Sequence, residues 1–276
     1  MKFMKRLIKK IRILRRIYDA YTASKYFNKK YLKIFKWAMR SNENTNYTYK
    51  LTKKNQLELI KTFEIIFKNS TFEQIKFFLE ELEYDKEIRD HIRDSIYDSN
   101  LKEYADSIIE FSRRLGWYIC VRILKPRVIV ETGVDKGLGS VVLIRALMKN
   151  KKEGFTGYYY GTDINPKAGY LLNGDYKNFG QILFGDSIKS LDSFEKKIDL
   201  FINDSDHSAE YEYKEYMAIK NKLSNNAIIL GDNSHSTDKL VQFSIENNRN
   251  YILFREEPND HWYPGAGIGI SYPRNK

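Results

Sequence analysis

The sequence predicts an α/β fold: a mostly parallel sheet with an antiparallel last strand, preceded by a small helical region. Three observations carry this. From Arg127 onward, short β-branched or aromatic runs alternate with helix-like stretches. Residues 51–125 show helical apolar spacing instead. The length, 276 residues, suits one such domain with an appendage and not two catalytic domains. With 42% hydrophobic and 30% charged residues, the composition excludes wholesale disorder, collagen and coiled coil. The expected organisation is a basic amphipathic arm over 1–40, a helical region over 41–119 and the sheet domain over 120–276.

In MKFMKRLIKKIRILRRIYDAY, the residues Met4, Leu7, Ile8, Ile11, Leu14 and Tyr18 recur at three- and four-residue steps and share one helix face; the opposite face is almost entirely cationic. Residues 1–40 hold 14 of the 47 Lys and Arg but one of the 36 acids, Asp19, leaving 33 bases against 35 acids elsewhere. The net charge of +11 therefore describes the arm and its partner, and gives no reason for the sheet domain to grip nucleic acid. Three readings of the arm stay open: attachment to an anionic membrane surface, docking on its own domain or on a partner helix, and, least favoured, nucleic-acid binding. Homo-oligomerisation also stays open. SNENTNYTYK (41–50) reads as a polar linker. Beyond it, TFEQIKFFLEELEYDKEIRDHIRDSIYDS and LKEYADSIIEFSRRLGWYICVRILK read as helices. The single cysteine, Cys120, excludes an internal disulfide and fits a reducing compartment. No run approaches the ~18 apolar residues of a membrane span, and Lys and Arg interrupt the N-terminal apolar residues too often for a secretory signal. The expected location is cytoplasmic, with attachment to the inner face of the membrane left open.

VIVETG (128–133) reads as the first strand and VVLIRALMKN as the helix after it. GYYYGTDI (157–164), QILFGDS (181–187), KIDLFINDSD (197–206) and NAIILGDN (226–233) supply four more strands, with AEYEYKEYMAIKNKL (209–223) a crossover helix. VQFSIENN is a further helix, and YILFREEP and GIGISY are the last strands, joined by a loop containing NDHWYPGAG.

Ligands of open parallel sheets bind outside the carboxyl ends of the strands. Those ends are acidic here: Glu131, Asp163, Asp186, Asp204 with Asp206, and Asp232 with Asn233. One such acid is ordinarily a helix cap or turn residue; five successive ends are harder to dismiss. The first turn, from Glu131 to Ser140, carries Gly133, Gly137 and Gly139, as suits backbone that approaches a ligand. Its spacing is not the dinucleotide fingerprint.

With the downstream acids, this turn resembles the first motif, E/D-x-G-x-G-x-G, of the class I S-adenosylmethionine-dependent methyltransferases, whose sheet is Rossmann-like. Glu131, Gly133, Gly137 and Gly139 match, and Asp135 stands where the middle glycine usually lies. The resemblance spans about 120–272. It implies that the loop, including Ser140, holds the methionine part of the cofactor, that Asp163 with Ile164 meets the ribose, and that Asp186 and Ser187 meet the adenine side. DLFINDSDHSAEY and AIILGDNS resemble the metal-dependent O-methyltransferases, placing Asp204, Asp232 and Asn233 on metal-ligand positions. Oxygen ligands from neighbouring strand ends suit a hard octahedral cation, Mg²⁺ or Mn²⁺; no zinc pattern is present.

His207, three residues beyond Asp204, can accept the proton of an acceptor hydroxyl, its ordinary pKa of ~6.5 leaving it largely neutral at neutral pH. The alternative is a helix-start cap. Asp206 is a second candidate base or orients His207. Histidine at this position is similar to the macrolide-sugar O-methyltransferases and the cephalosporin hydroxylase-like family, which implies a sugar hydroxyl as acceptor. His235 is a candidate lining residue. His261, Trp262 and Tyr263 could present ring faces to a sugar or anchor their loop. A nucleic-acid methyltransferase using the basic arm and a non-catalytic binding module are the alternatives.

Overall fold

The computed structural model describes residues 12–41, 49–100 and 108–274. In chain order, α1 (Arg12–Ala38), α2 (Lys53–Ile66), α3 (Phe72–Glu83), α4 (Lys86–Tyr97) and α5 (Arg114–Leu124) precede the sheet. Then follow β1 (Val128–Thr132), α6 (Leu138–Lys152), β2 (Tyr158–Asp163), β3 (Gly180–Phe184), α7 (Ser187–Asp192), β4 (Ile198–Asn203), α8 (Ala209–Ile219), β5 (Leu223–Asp232), α9 (Lys239–Glu246), β6 (Arg249–Arg255) and β7 (Gly267–Pro273).

The strand order is β3-β2-β1-β4-β5-β7-β6. Neighbours from β3 to β5 pair in parallel, and β7 is antiparallel to both β5 and β6. The uninterrupted apolar runs of the central strands follow from burial on both faces. Ile129, Leu200, Ile202, Ile228 and Leu230 enter the core layer shared with the N-terminal helices. Val130, Phe201 and Ile229 enter the layer beneath α8 and α9. The order reverses between β1 and β4, so a crevice opens at their carboxyl ends.

The N-terminal helices share the core of the sheet. Leu59, Phe63, Ile75, Leu79 and Leu82 pack in one cluster with Trp117 and Ile119 of α5 and Val141 and Leu143 of α6. The boundary expected at 119/120 thus falls inside α5, which is buried from Arg114 to Arg122. The helix expected through residues 71–99 is two helices. Asp85 breaks it, capping α4 by accepting from the Ile88 N–H at 3.2 Å and binding Arg145 of α6 through both oxygens at 2.7 and 3.0 Å. The last helix of the region begins only at Arg114, after Ser112 at φ 47°; residues 101–107 of that expected helix lie outside the described residues.

The far end of the expected linker also belongs to the core. Tyr49 and Leu51 are buried, the Tyr49 hydroxyl donates to Glu256 at 2.8 Å, and the backbone pairs Thr52 N with Glu257 O and Asn259 N with Lys50 O. Of the expected N-terminal stripe, Leu14 and Tyr18 lie on α1, while Met4, Leu7, Ile8 and Ile11 lie outside the described residues. Cys120 is buried, and burial pushes its thiol pKa up. Among the described residues no helix is long and apolar enough to cross a membrane.

Candidate active site

A cavity of about 840 Å³ lies over the carboxyl ends of β1, β2, β4 and β5, within the range of small-molecule sites. Its opposite wall comes from the helical region: Ile92 and Ile96 of α4, then Ile109, Arg113 and Arg114 at the start of α5. The strand ends are knitted by backbone bonds at 2.9 Å from Gly133 N to Thr162 O, Asp204 N to Thr132 O and Gly185 N to Asp163 O.

Gly133 has φ +81°, and a Cβ there would overlap the Asp204 carbonyl, so the first turn needs glycine for both conformation and close approach. Asp135 takes the left-handed conformation at φ 47°, which aspartate tolerates. Asp163 fixes the turn from below: its Oδ2 accepts from the Asp135 N–H and its Oδ1 from the Asn165 N–H, both at 2.8 Å. Glu131, Gly133, Gly139, Asp163, Ile164, Asp186 and Ser187 line the cavity; Gly137 and Ser140 do not. Gly137 starts α6, and the helix turns Ser140 inward, where its hydroxyl donates to Glu131 at 3.0 Å. Tyr159 donates to the same Glu131 oxygen. Burial pushes the Glu131 pKa to about 7, against the pull of these two hydroxyls. Asp186 also caps α7, accepting from the Lys189 N–H at 2.9 Å.

At the ends of β4 and β5, Asp204, His207 and Asp232 bring one ligand atom each within 4.8 Å of one another, and Asn233 joins them. The Asn233 Nδ2 donates to Asp232 Oδ2 at 3.0 Å and lies 3.2 Å from His207 Nε2, which is 3.8 Å from Asp204 Oδ1. The Asp204 carboxyl is pushed well above its ordinary pKa by burial and by the Asp232 carboxylate. Two carboxylates held this close favour a cation between them. Arg113 supplies part of that charge, donating from Nε to Asp232 Oδ1 and from Nη2 to Oδ2 at 2.8 Å. Burial opposes the Arg113 charge, and Asp232, Asp204 and Glu256 outweigh it, holding its pKa well above the arginine norm. Asp232 Oδ1 keeps a lone pair beside its bond from Arg113, so the oxygens of Asp204, Asp232 and Asn233 still fit a hard divalent cation, with His207 next to them. Asp206, exposed, accepts from the Ser208 N–H at 2.7 Å and shapes the turn into α8.

Three functional side chains escaped the sequence reading. Besides Arg113, Arg114 is 6% exposed, lines the cavity, and has Nε and Nη1 buried without a hydrogen-bond partner. Glu215 of α8 accepts from Thr132 Oγ1 at 3.2 Å, from Ser205 Oγ at 2.8 Å, and from Ser187 and Asn203. It ties the ends of β1 and β4 to the loop that carries Asp204 and His207. Burial raises its pKa to about 7 against those four donors.

The expected acceptor residues stand outside the cavity lining. His235 is exposed, its pKa lowered by burial of the ring and by Arg255. His261 and Trp262 pack on Trp37 of α1 with ring centroids 5.4 and 6.1 Å away, and Tyr49 lies 5.0 Å from His261 and 5.7 Å from Tyr263. These rings pack together around the loop between β6 and β7.

Residues 130–234 match the family model described as a methyltransferase domain. No curated protein matches the chain in sequence. Among solved structures, a cofactor-bound protein from MTB is similar over 74% of this chain and 97% of its own, at TM-score 0.53 and 13% identity. An O-methyltransferase from Bacillus cereus in complex with SAH covers 78% of this chain and 100% of its own, at 0.50 and 13%. A methyltransferase from Geobacter sulfurreducens covers 73% and 98%, at 0.50 and 15%. At these identities the structures show a shared fold. With the family match, they show a methyltransferase-type fold, with a methyltransferase domain matched over residues 130–234.

Proposed function

We propose that the enzyme is an O-methyltransferase that uses a divalent cation, Mg²⁺ or Mn²⁺, to methylate a sugar hydroxyl. The observation that carries this reading is the convergence of Asp204, His207 and Asp232 on one point at the rim of the strand-end cavity. A methyltransferase acting on a more acidic or already nucleophilic atom has less need of a carboxylate pair and an imidazole there. The O-methyltransferase from Bacillus cereus with the same fold is consistent with an oxygen acceptor.

In this reading the chain's own groups divide the work. Gly133 and Gly139 line the cavity where the first turn would meet the methionine part of the donor, and the Arg114 guanidinium in the same wall meets its carboxylate. Asp163, already anchored through two backbone N–H groups, keeps further lone pairs for the ribose hydroxyls. Asp204, Asp232 and Asn233 would hold the cation, which supplies Lewis acidity to the acceptor hydroxyl. His207 takes the hydroxyl proton at Nε2, where the ring already meets the Asn233 amide. Ile92, Ile96 and Ile109 close the wall above the strand ends and exclude water.

The test is a mass-spectrometric search for methylated product after incubation with S-adenosylmethionine, Mg²⁺ and a panel of free and nucleotide-linked sugars. The expected result is an O-methyl sugar formed by the wild type, lost on chelation and lost in His207→Ala. Methylation of a nitrogen or carbon acceptor in the presence of chelator contradicts the reading.

A further inference from the structure

Helix α1 presents an apolar surface that the other described residues leave exposed. Ile13, Ile17, Tyr21, Phe27, Tyr31 and Phe35 are each between 57% and 70% exposed. At the angular step of an α-helix they fall within an arc of roughly 120°, with Ala20 and Ser24 in the same arc and no charged residue inside it. Arg16, Lys25, Lys33 and Lys36 are exposed and lie outside the arc. Trp37, on the side away from this stripe, is the residue that packs on His261 and Trp262. The anchor therefore turns the apolar stripe away from the body of the enzyme.

We infer that α1 is an interfacial helix that lies on an anionic lipid bilayer. Charge complementarity selects this occupant. Residues 1–40 hold 14 Lys and Arg against one acid, so a second copy of the arm laid on the stripe would bring like charges together. A nucleic acid would engage the basic flank and leave the aromatic stripe in water. A bilayer with anionic headgroups satisfies both faces. Aliphatic and phenyl side chains enter the acyl boundary, Tyr21 and Tyr31 suit the headgroup level, and the flanking cations meet phosphates. The helix rests on the surface, since none among the described residues is apolar enough to span. This inference is independent of the acceptor and the metal.

The test is flotation of the full chain with vesicles of phosphatidylcholine alone or mixed with phosphatidylglycerol, in which protein aggregates stay at the bottom of the gradient. The chain is expected to float with the anionic vesicles and stay down with the neutral ones. The double variant Ile17→Glu/Phe35→Glu, with an unchanged melting temperature as the control for folding, is expected to float roughly tenfold less. Lys25→Glu/Lys36→Glu, beside the stripe, should also weaken flotation, and added salt should weaken it for the wild type. A wild type that stays down with anionic vesicles overturns the inference. So does a stripe variant that floats as well as the wild type, or a stripe whose only effect is on a dimer seen by light scattering. Retention of RNA without flotation assigns the arm to nucleic acid instead and equally overturns it.

Discussion

Arg114 brings a guanidinium into the cavity wall with two nitrogens unsatisfied, its charge disfavoured by burial and by the adjacent Arg113. Asp204, Asp232 and Glu131 offset part of that cost, and a ligand anion beside the guanidinium would offset more. Arg114→Met should therefore weaken S-adenosylmethionine binding by roughly ten- to a hundredfold. Binding of 5′-methylthioadenosine, which has no carboxylate, should be unchanged, and equal loss for both ligands in a calorimetric titration would assign Arg114 to packing against Trp117 instead. Glu215 makes a pH prediction. Its folded-state pKa of about 7 lies above the ordinary 4.5, so its contribution is fully present below about pH 4.5 and is lost as pH rises through 7. The wild type should lose on the order of 3 kcal/mol at most across that window relative to Glu215→Gln, read as a steeper fall of melting temperature with pH. Parallel curves would place the Glu215 titration outside this range. None of these three residues was legible in the sequence. SRRLGW reads as the charged edge of a helix and AEYEYKEY as a solvated one, because burial and a partner 119 residues away, as for Arg113 and Asp232, leave no local signal.

The elements of the sheet were legible because burial on both faces writes itself into the chain as continuous apolar runs, and the carboxyl ends of those runs carry the acids of the site. VIVET, IDLFIN and AIILGD need no partner to be recognised. The N-terminal helices were legible as helices but not in their breaks. Asp85 looks like one more surface acid in a charged stretch, and its role comes from Arg145 in α6, 60 residues on. That pair joins α4 to α6, with Asp85 3% and Arg145 5% exposed. Asp85→Ala removes a helix cap and strands the guanidinium, and should cost about 3–5 kcal/mol in urea unfolding. A loss below about 1 kcal/mol would mean that Glu87, which also binds the Arg145 guanidinium at 2.6 Å, carries the joint between the layers. The end of the expected linker, residues 49–50, misled for a related reason: the polar composition of 41–50 suggests a linker, but Tyr49 finds Glu256 more than 200 residues away and becomes core.

At the scale of the whole molecule, two unequal bodies follow from the charge distribution. The basic excess lies in residues 1–40, the rest of the sequence is near neutral, and the helix of that segment packs at Trp37 on the loop between β6 and β7. The helical region belongs with the sheet, since it shares the main core cluster and supplies one wall of the cavity. In the proposed function, donor and cation would therefore be held by the helical region and the sheet together. The central claim is that this unit holds S-adenosylmethionine over the first turn and a divalent cation between Asp204 and Asp232. It is tested most directly by calorimetric titration of both ligands into the wild type and Asp204→Ala. Both proteins should bind S-adenosylmethionine, and only the wild type should give heat with Mg²⁺. Equal Mg²⁺ binding by both proteins would contradict the cation site, and no binding of S-adenosylmethionine by the wild type would contradict the account as a whole.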